Sequence, residues 1–205
     1  DFKGAKPMKV IICGAGQVGW QIARHLANEK NDVTVVDRNS DLVRRATDTL
    51  DVQGIGGFAS DPDVVARAGA EDADMVIGAV LIPGAKAPRL LSRDQLHTLR
   101  PGAALVDISI DQGGCFETSR PTTHDAPTYI EEGIVHYCVT NMPGAVARTS
   151  TYALNAATLP FVKALADRGP EAAMAADPHL AAGLNIQQGQ VRHPAVAEAL
   201  LAQVA

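Results

Sequence analysis

Three closely spaced glycines are the residues of this sequence with the clearest chemical meaning. Gly14, Gly16 and Gly19 form a G-x-G-x-x-G pattern that directly follows the apolar run Lys9–Cys13. Between a strand and a helix, the first glycine permits a tight turn and the second lets the backbone approach a pyrophosphate. The third lets the helix pack closely on the strand. The pattern predicts a dinucleotide site; the alternative is a purely structural glycine turn.

An acidic residue after the second apolar run indicates which dinucleotide would bind. The helix after the glycines would begin near Gln17 and Val18, so its free N–H groups would face the phosphates. Asp37 follows the run Val33–Val36. A carboxylate in this place accepts hydrogen bonds from the adenosine ribose and repels a 2′-phosphate, so we expect NAD(H). Arg38 follows at once and counts against that preference.

Apolar runs of strand length alternate with amphipathic segments through residue 139. This alternation predicts an α/β fold with a doubly wound parallel sheet, a Rossmann-type fold, with extra C-terminal helices. The predicted strands are Lys9–Cys13, Val33–Val36, Val52–Ile55, Met75–Ala79, Ala104–Ile110 and Ile134–Val139. The predicted helices between them are Val18–Ala27, Asp41–Thr49 capped by Ser40, and Asp63–Ala68 opened by Asp61 and Pro62.

Beyond residue 139 the sequence becomes rich in alanine. We expect a dinucleotide-binding domain over residues 8–148 and a helical segment over 149–205, with residues 1–7 outside the fold. The first helix of that segment would be capped by Thr149 or Ser150, be interrupted or kinked at Pro160, and end before Gly169. Two shorter helices are predicted over Glu171–Ala176 and Ala195–Ala202.

Composition narrows the classes of partner. The 205 residues carry a net charge of -5 with no basic run, and only 4% are aromatic, which disfavours nucleic acid. No apolar stretch approaches the roughly 20 residues of a membrane span. The three cysteines are scattered without metal-site spacing, so we expect no metal, reduced thiols and a cytoplasmic location.

The N-terminal half resembles the nucleotide-binding domain of TrkA-type (RCK) regulators of potassium uptake. The resembling segments are MKVIICGAGQVG (8–19), DVTVVD (32–37) and AEDADMVI (70–77). This resemblance ends at Gly78. It implies, as one alternative function, a regulatory nucleotide sensor.

From residue 77 onward the chain instead resembles alanine dehydrogenase. The resembling segments are PGAKAP (83–88), DQGGC (111–115), SRPTTH (119–124), NMPG (141–144) and HPAVAEAL (193–200). They include irregular loops as well as apolar runs, so this resemblance is the more specific. We therefore interpret the chain as a hybrid of two families, natural or engineered, whose leading function is that of an alanine dehydrogenase cofactor domain.

The second resemblance assigns roles to individual residues. Asp111, at the carboxyl edge of the predicted sheet, matches an aspartate that handles protons and positions substrate beside the nicotinamide; the alternative is a carboxylate that caps a neighbouring turn. Asn141 and Met142 match backbone contacts on the nicotinamide side, and the alternative is a turn set by Pro143 and Gly144. Val80 and Leu81 match a segment near the ribose and pyrophosphate.

Ser60 is expected near the adenine end because it follows the third predicted strand, although a helix cap is its plainer role. No positions match the family's substrate-holding basic residues or its catalytic histidine. We therefore expect dinucleotide binding without efficient turnover of an amino acid or keto acid. A third alternative is a hybrid with binding as its only property. The alanine-rich helices are expected to expose apolar faces and favour a homo-oligomer.

Overall fold

The computed structural model of the chain describes residues 6–82 and 86–201. They divide into two compact units, one made of residues 6–82 and 86–140 and the other of residues 141–201. Residues 1–5, most of the segment expected outside the fold, lie outside the described residues, as do loop residues 83–85 and Ala202. The predicted boundary after residue 148 lies inside a helix of the second unit, and the functional meaning of the two units stays a prediction.

The first unit is built on one seven-stranded sheet. Its strands are β1 (Lys9–Cys13), β2 (Asp32–Asp37), β3 (Gln53–Gly56), β4 (Met75–Gly78), β5 (Ala104–Asp107), β6 (Thr128–Glu131) and β7 (Ile134–Tyr137). They lie in the order β3-β2-β1-β4-β5-β7-β6, and every pair is parallel except β6 with β7. The winding reverses between β1 and β4, which is where ligands of such sheets bind. The predicted fold class is confirmed.

Three helices connect strands β1 to β4. They are α1 (Gln17–Asn28), α2 (Ser40–Thr49) and α3 (Pro62–Arg67). The cap of α2 is Asn39, whose side chain accepts from the N–H groups of Asp41 and Leu42, so the expected Ser40 cap is wrong. An amide oxygen one residue earlier satisfies these N–H groups, and Ser40 becomes the first helical residue. Asp61 caps α3 as predicted.

Both faces of the sheet are covered, which explains the nearly continuous apolar runs. Alternate residues of β1 enter opposite cores, because successive side chains of a strand point to opposite faces. Val10 and Ile12 pack with Val33 and Val35 on one face. Ile11 packs on the other face with residues of α3 and the β4–β5 connection.

The structure differs from the predicted strands at four places from β4 to β7. β5 ends at Asp107, not Ile110, because the Asp107 carboxylate accepts from the N–H of Ser109 and the chain turns. Strand β6 was not predicted; it forms a hairpin with β7 through Glu132 and Gly133, both at positive φ. β4 and β7 also end earlier than expected, at Gly78 and Tyr137.

The second unit is mainly helical. It contains α4 (Ala147–Arg168), α5 (Pro170–Ala176), α6 (Pro178–Ala181), the short hairpin β8 (Ile186–Gln187) and β9 (Gln190–Val191), and α7 (Pro194–Leu201). Neither Thr149 nor Ser150 caps α4, which begins two residues earlier; the Ser150 hydroxyl donates to the carbonyl of Pro143. The predicted interruption at Pro160 is wrong, because α4 continues through it. Proline removes one hydrogen bond there, while the surrounding turns keep theirs.

No helix in the described part of the chain is both long enough and apolar enough to cross a membrane.

Candidate functional site

The glycine loop between β1 and α1 has the geometry that its three glycines predict. Gly14 has a φ of +112°, and a Cβ there would lie 2.3 Å from the carbonyl oxygen of Ala79. A Cβ on Gly19 would lie 1.8 Å from the carbonyl oxygen of Gly14. Both positions therefore require glycine for the fold itself.

Gly16 differs from the other two glycines because the space beside it is open. A Cβ built there meets no protein atom within 4 Å. Gly16 is also the N-cap of α1, and as a glycine it brings no side-chain acceptor to the first turn. The N–H groups of Gln17 and Val18 lie in that turn, at the positive end of the helix dipole. The loop thus offers room and N–H donors to an anion.

The Asp37 side chain is tied to this loop. Its two oxygens accept from the N–H of Ala15 at 2.7 Å and the N–H of Asn39 at 2.8 Å. A carboxylate has about four acceptor positions, so each oxygen keeps capacity for a further donor such as a ribose hydroxyl. Arg38 beside it is exposed. The fold therefore brings Asp37 to the glycine loop as predicted, although Asp37 and Ala15 are 22 positions apart in the chain.

The loop after β3 lies against the end of β2. The N–H of Gly57 donates to the carbonyl of Asp37 at 3.0 Å. Ser60 follows in this loop and is exposed. It is not the cap of α3, which is Asp61, so the plain capping role weighed for Ser60 is wrong. Its adenine-side role stays a prediction.

The residues after β4 flank the glycine loop on its other side. A Cβ on Gly14 would lie 3.4 Å from Cγ1 of Val80, so Val80 contacts this turn. Val80 is half-buried against the core, whereas Leu81 is 67% exposed. Both lie at the carboxyl edge of the sheet, next to the point where the winding reverses.

Asp111 lies at the same edge but not directly on a strand. It is exposed, within the short 3₁₀ helix Ile110–Gln112 that follows β5. β5 pairs with β4, and Asp107 is in register with Gly78. Asp111 is thus carried by the loop neighbouring the one that carries Val80.

A second aspartate in this loop, Asp107, was missed by sequence reasoning. It is fully buried, and its carboxylate accepts from the N–H of Ser109 (2.9 Å), the N–H of Cys115 (2.8 Å) and the hydroxyl of Ser119 (2.5 Å). The Cys115 thiol is a further donor at 3.3 Å. Burial first, and then the charge of Asp107, raise the pKa of this thiol. The signal in the sequence was a charged residue inside the apolar run predicted as a strand.

Asn141 and Met142 belong to the second unit. Asn141 has a φ of +54° and precedes the short 3₁₀ helix Met142–Val146. Their assignment to the nicotinamide side stays a prediction, as does the role of Asp111.

His136 is buried, and the exposed Arg120 is connected to it through the ring of Tyr129. Arg120 lies over the ring of Tyr129 at 3.9 Å, and Tyr129 stacks on His136 at 4.7 Å between centroids. His136 contacts the Thr118 hydroxyl through Nε2 (2.7 Å) and the Ile134 carbonyl through Nδ1 (3.0 Å). Burial lowers the pKa of His136. The Arg120 guanidinium therefore covers the face of Tyr129.

A cavity of about 440 Å³ lies at the opposite, amino edge of the sheet. Four of its charged lining residues form ion pairs, Lys9 with Asp72 at 3.0 Å and Arg100 with Asp74 at 2.6 Å. Among the described residues, no group of three or more His, Cys, Asp or Glu side chains is arranged to hold a metal ion.

The family described as "Alanine dehydrogenase/PNT, C-terminal domain" matches residues 1–194. The chain is 51% identical over 199 residues to the alanine dehydrogenase of Halomonas elongata, covering 96% of this chain and 52% of that protein. It is 47% identical over 197 residues to the alanine dehydrogenase of Mycolicibacterium smegmatis, covering 96% and 53%. The chain thus spans about half the length of the curated relatives it matches.

The fold agrees with these sequence matches. A solved structure of L-alanine dehydrogenase superimposes with a TM-score of 0.80 at 40% identity, covering 98% of this chain and 55% of that one. The family match runs through residue 78 without a break, so the expected change of family there, and the hybrid interpretation, have no support. The glycine loop, the β2 aspartate and the apolar strands are common to Rossmann folds, so they do not distinguish one family from another.

Proposed function

Since the chain belongs to the alanine dehydrogenase/PNT C-terminal domain family, we propose that its first unit binds NAD(H) at the carboxyl edge of the sheet, between β1 and β4. The activity that it serves is the NAD-dependent interconversion of L-alanine with pyruvate and ammonia. The names of the relatives support this substrate, since each is an alanine dehydrogenase.

The observation that carries the proposal is the difference in the space beside the three glycines. Protein atoms occupy the space where a Cβ of Gly14 or Gly19 would lie, whereas the space beside Gly16 is open. A purely structural turn needs no such opening beside the free N–H groups of a helix. With Asp37 bound to the same loop, the residues fit a dinucleotide pyrophosphate and its adenosine ribose.

The chemistry is divided between cofactor and protein. The nicotinamide ring, when bound, accepts or donates the hydride. Asp111, exposed at the carboxyl edge, has the position and the acid–base capacity to exchange a proton with the substrate, and this is the role we propose for it. In this proposal, Val80 and Leu81 lie beside the ribose and pyrophosphate of the cofactor. Ser60 lies at the adenine end, and Asn141 and Met142 lie on the nicotinamide side.

Asp37 favours NAD(H) over NADP(H), because its carboxylate repels a 2′-phosphate. Arg38 beside it is exposed. We propose that the Asp37 charge decides the preference, since it is held against the glycine loop by two backbone N–H groups. No observation favours a potassium-linked sensor over this function.

We also propose that the chain self-associates through α4. Its large apolar side chains are exposed, with Leu154 at 66%, Phe161 at 42% and Leu165 at 36%. These three lie at helical spacing and share one face. Sedimentation velocity of the chain and of Phe161→Glu tests this: a wild-type monomer at micromolar concentration would contradict it.

Binding and turnover are tested separately. The chain is titrated with NADH and with ATP, and then mixed with NADH, pyruvate and an ammonium salt while NADH absorbance is followed. We expect saturable NADH binding without appreciable NADH consumption, because no position here matches the family's substrate-holding cations. Binding of ATP but not NADH would overturn the cofactor assignment. Rapid consumption of NADH would overturn the expectation that binding occurs without turnover.

A further inference from the structure

Asp107 joins the two ends of the loop that carries Asp111. Its Oδ1 accepts from the N–H of Ser109 at the start of the loop, and its Oδ2 from Cys115 N–H and Ser119 hydroxyl near the end. The Cys115 thiol is a second donor to Oδ1, so each oxygen accepts from two groups. The carboxylate therefore closes residues 109–119 into a ring.

The packing around Asp107 is specific. Gly114 has a φ of +74°, and a Cβ there would lie 3.0 Å from Oδ2 of Asp107 and 2.8 Å from Cβ of Ser119. Every group around the side chain donates, and an ionised carboxylate only accepts. An asparagine in this position would face one pair of these donors with its side-chain NH2 group, which cannot accept a hydrogen bond from them. The site thus selects an acidic side chain although burying a charge is costly.

The ring also holds the neighbouring segment of the chain. The N–H of Ala87 donates to the carbonyl of Gln112 at 2.9 Å, and that of Leu90 to the carbonyl of Cys115 at 2.7 Å. The hydroxyl of Ser109 donates to the carbonyl of Val80 at 2.7 Å. The segments that leave β4 and β5 are thereby fixed to each other through residues bound to Asp107.

A dinucleotide in this fold spans the point where the winding reverses. Its adenosine half then lies on the glycine loop and Asp37, and its other half on the segments leaving β4 and β5. We propose that Asp107 is a positioning residue for that second half: it touches no ligand and acts by fixing the backbone that carries Asp111 and Val80. This inference rests on the NAD(H) binding proposed above.

The test compares one ligand that spans both halves with one that fills only the first. NADH and ADP are titrated into the chain, into Asp107→Asn and into Asp74→Asn. Asp74 is a matched control because it also accepts from a backbone N–H, that of Lys9 at 2.9 Å, and pairs with Arg100, but at the amino edge. Asp107→Asn is expected to weaken NADH about tenfold, the effect of one unsatisfied buried donor, and to weaken ADP clearly less, because ADP meets Val80 but not the loop of Asp111. Asp74→Asn should lower Tm and leave both affinities unchanged.

Equal weakening of NADH and ADP by Asp107→Asn, or no change in either, would overturn the proposal. If Asp107→Asn does not fold, Ser119→Ala, which removes one donor only, carries the same test. It should weaken NADH about threefold, again with a smaller effect on ADP. An unchanged ratio of the two affinities would overturn the proposal.

Hydrogen exchange separates this inference from the proposed function. In the wild-type chain the N–H groups of Ser109 and Cys115 should exchange slowly. In whichever of the two variants folds, residues 86–119 should exchange faster than in the wild type, while the exchange of residues 14–19 should be unchanged. If the wild type binds neither NADH nor ADP, the proposed function fails, and this exchange pattern decides alone whether Asp107 fixes the two segments. Uniform acceleration, or none, would contradict it.

Discussion

The carboxylate of Asp37 accepts a hydrogen bond from the N–H of Ala15 over 2.7 Å, which joins the end of β2 to the glycine loop after β1. The acid is therefore held in place before any ligand arrives. A preorganised acceptor loses little conformational freedom on binding, so more of its interaction energy contributes to affinity. The two sequence signals of the dinucleotide site are parts of one hydrogen-bonded unit.

Replacing Gly16 by Val should abolish NADH binding while leaving the fold intact. A Cβ at this position meets no protein atom within 4 Å, so the added side chain fills only the space proposed for the pyrophosphate. NADH titration and thermal unfolding of the variant test both parts.

The matched variant is Gly19→Ala, whose Cβ would lie 1.8 Å from the carbonyl oxygen of Gly14. It should lower Tm markedly, by overpacking worth about 1–3 kcal/mol. Unaltered NADH affinity in Gly16→Val would contradict the placement of the cofactor.

Replacing Asp37 by Arg should reverse the cofactor preference. The substitution removes the acceptor for the ribose hydroxyls and adds a cation for a 2′-phosphate, so NADH should bind about tenfold more weakly and NADPH more tightly. It also leaves the N–H groups of Ala15 and Asn39 without their acceptor, at a cost of about 1–3 kcal/mol in stability.

Asp41→Arg, a similar charge change in the first turn of α2, serves as the control and should leave the preference as it is. An unchanged NADH-to-NADPH ratio in Asp37→Arg would show that Asp37 does not face the ribose.

The stability of the first unit should fall as the pH drops below about 6.5, the ordinary pKa of histidine. Burial lowers the pKa of His136 in the folded chain; the charges of Arg120 and Arg93 act in the same direction, and the Ile134 carbonyl and Glu131 oppose them. The unfolded chain therefore binds the proton first, and stability is lost as pH falls from about 6.5 toward the folded pKa.

Denaturant unfolding at several pH values checks this. His136→Gln should lose less stability on acidification than the wild type. Identical pH profiles for the two chains would show that His136 does not titrate differently in the folded state.

The three cysteine thiols should react slowly with a thiol reagent in the folded chain. All three are buried and free, and burial raises the pKa of Cys13 to about 12 and also raises the pKa of Cys138. Because the thiolate is the reactive form, modification near neutral pH should follow opening of the fold. In the denatured chain, three equivalents of thiol should react with the reagent at once. If the thiols of the folded chain reacted at a comparable rate, the buried positions of the cysteines would be contradicted.

The sequence was sufficient for the parts of the site that depend on local spacing. The positive φ of Gly14, the contact of Gly19 with the Gly14 carbonyl and the cap at Asp61 arise from residues close together in the chain, and each was predicted. Asp37 was predicted as well, since parallel strands bring their carboxyl ends to one edge whatever fills the crossover.

Features that depend on distant residues were missed. Asp107 accepts from Cys115 and Ser119, 8 and 12 residues further along the chain, and no local spacing predicts these bonds. The predicted strand was therefore extended to Ile110 despite the charged residue within it. The hairpin strand β6 is held by pairing with β7, and its turn at Glu132 and Gly133 carries only a weak glycine signal. Such long-range pairing overrides local propensity.

Energy transfer from Trp20 to NADH tests the central claim most directly, because this is the only tryptophan of the chain and it lies on α1, in the helix whose N-terminus carries the proposed pyrophosphate site. Titration with NADH should give saturable sensitised NADH emission, reversed by NAD⁺, and none in Gly16→Val. Emission that does not saturate, or that is equal in Gly16→Val, would contradict NAD(H) binding at the glycine loop.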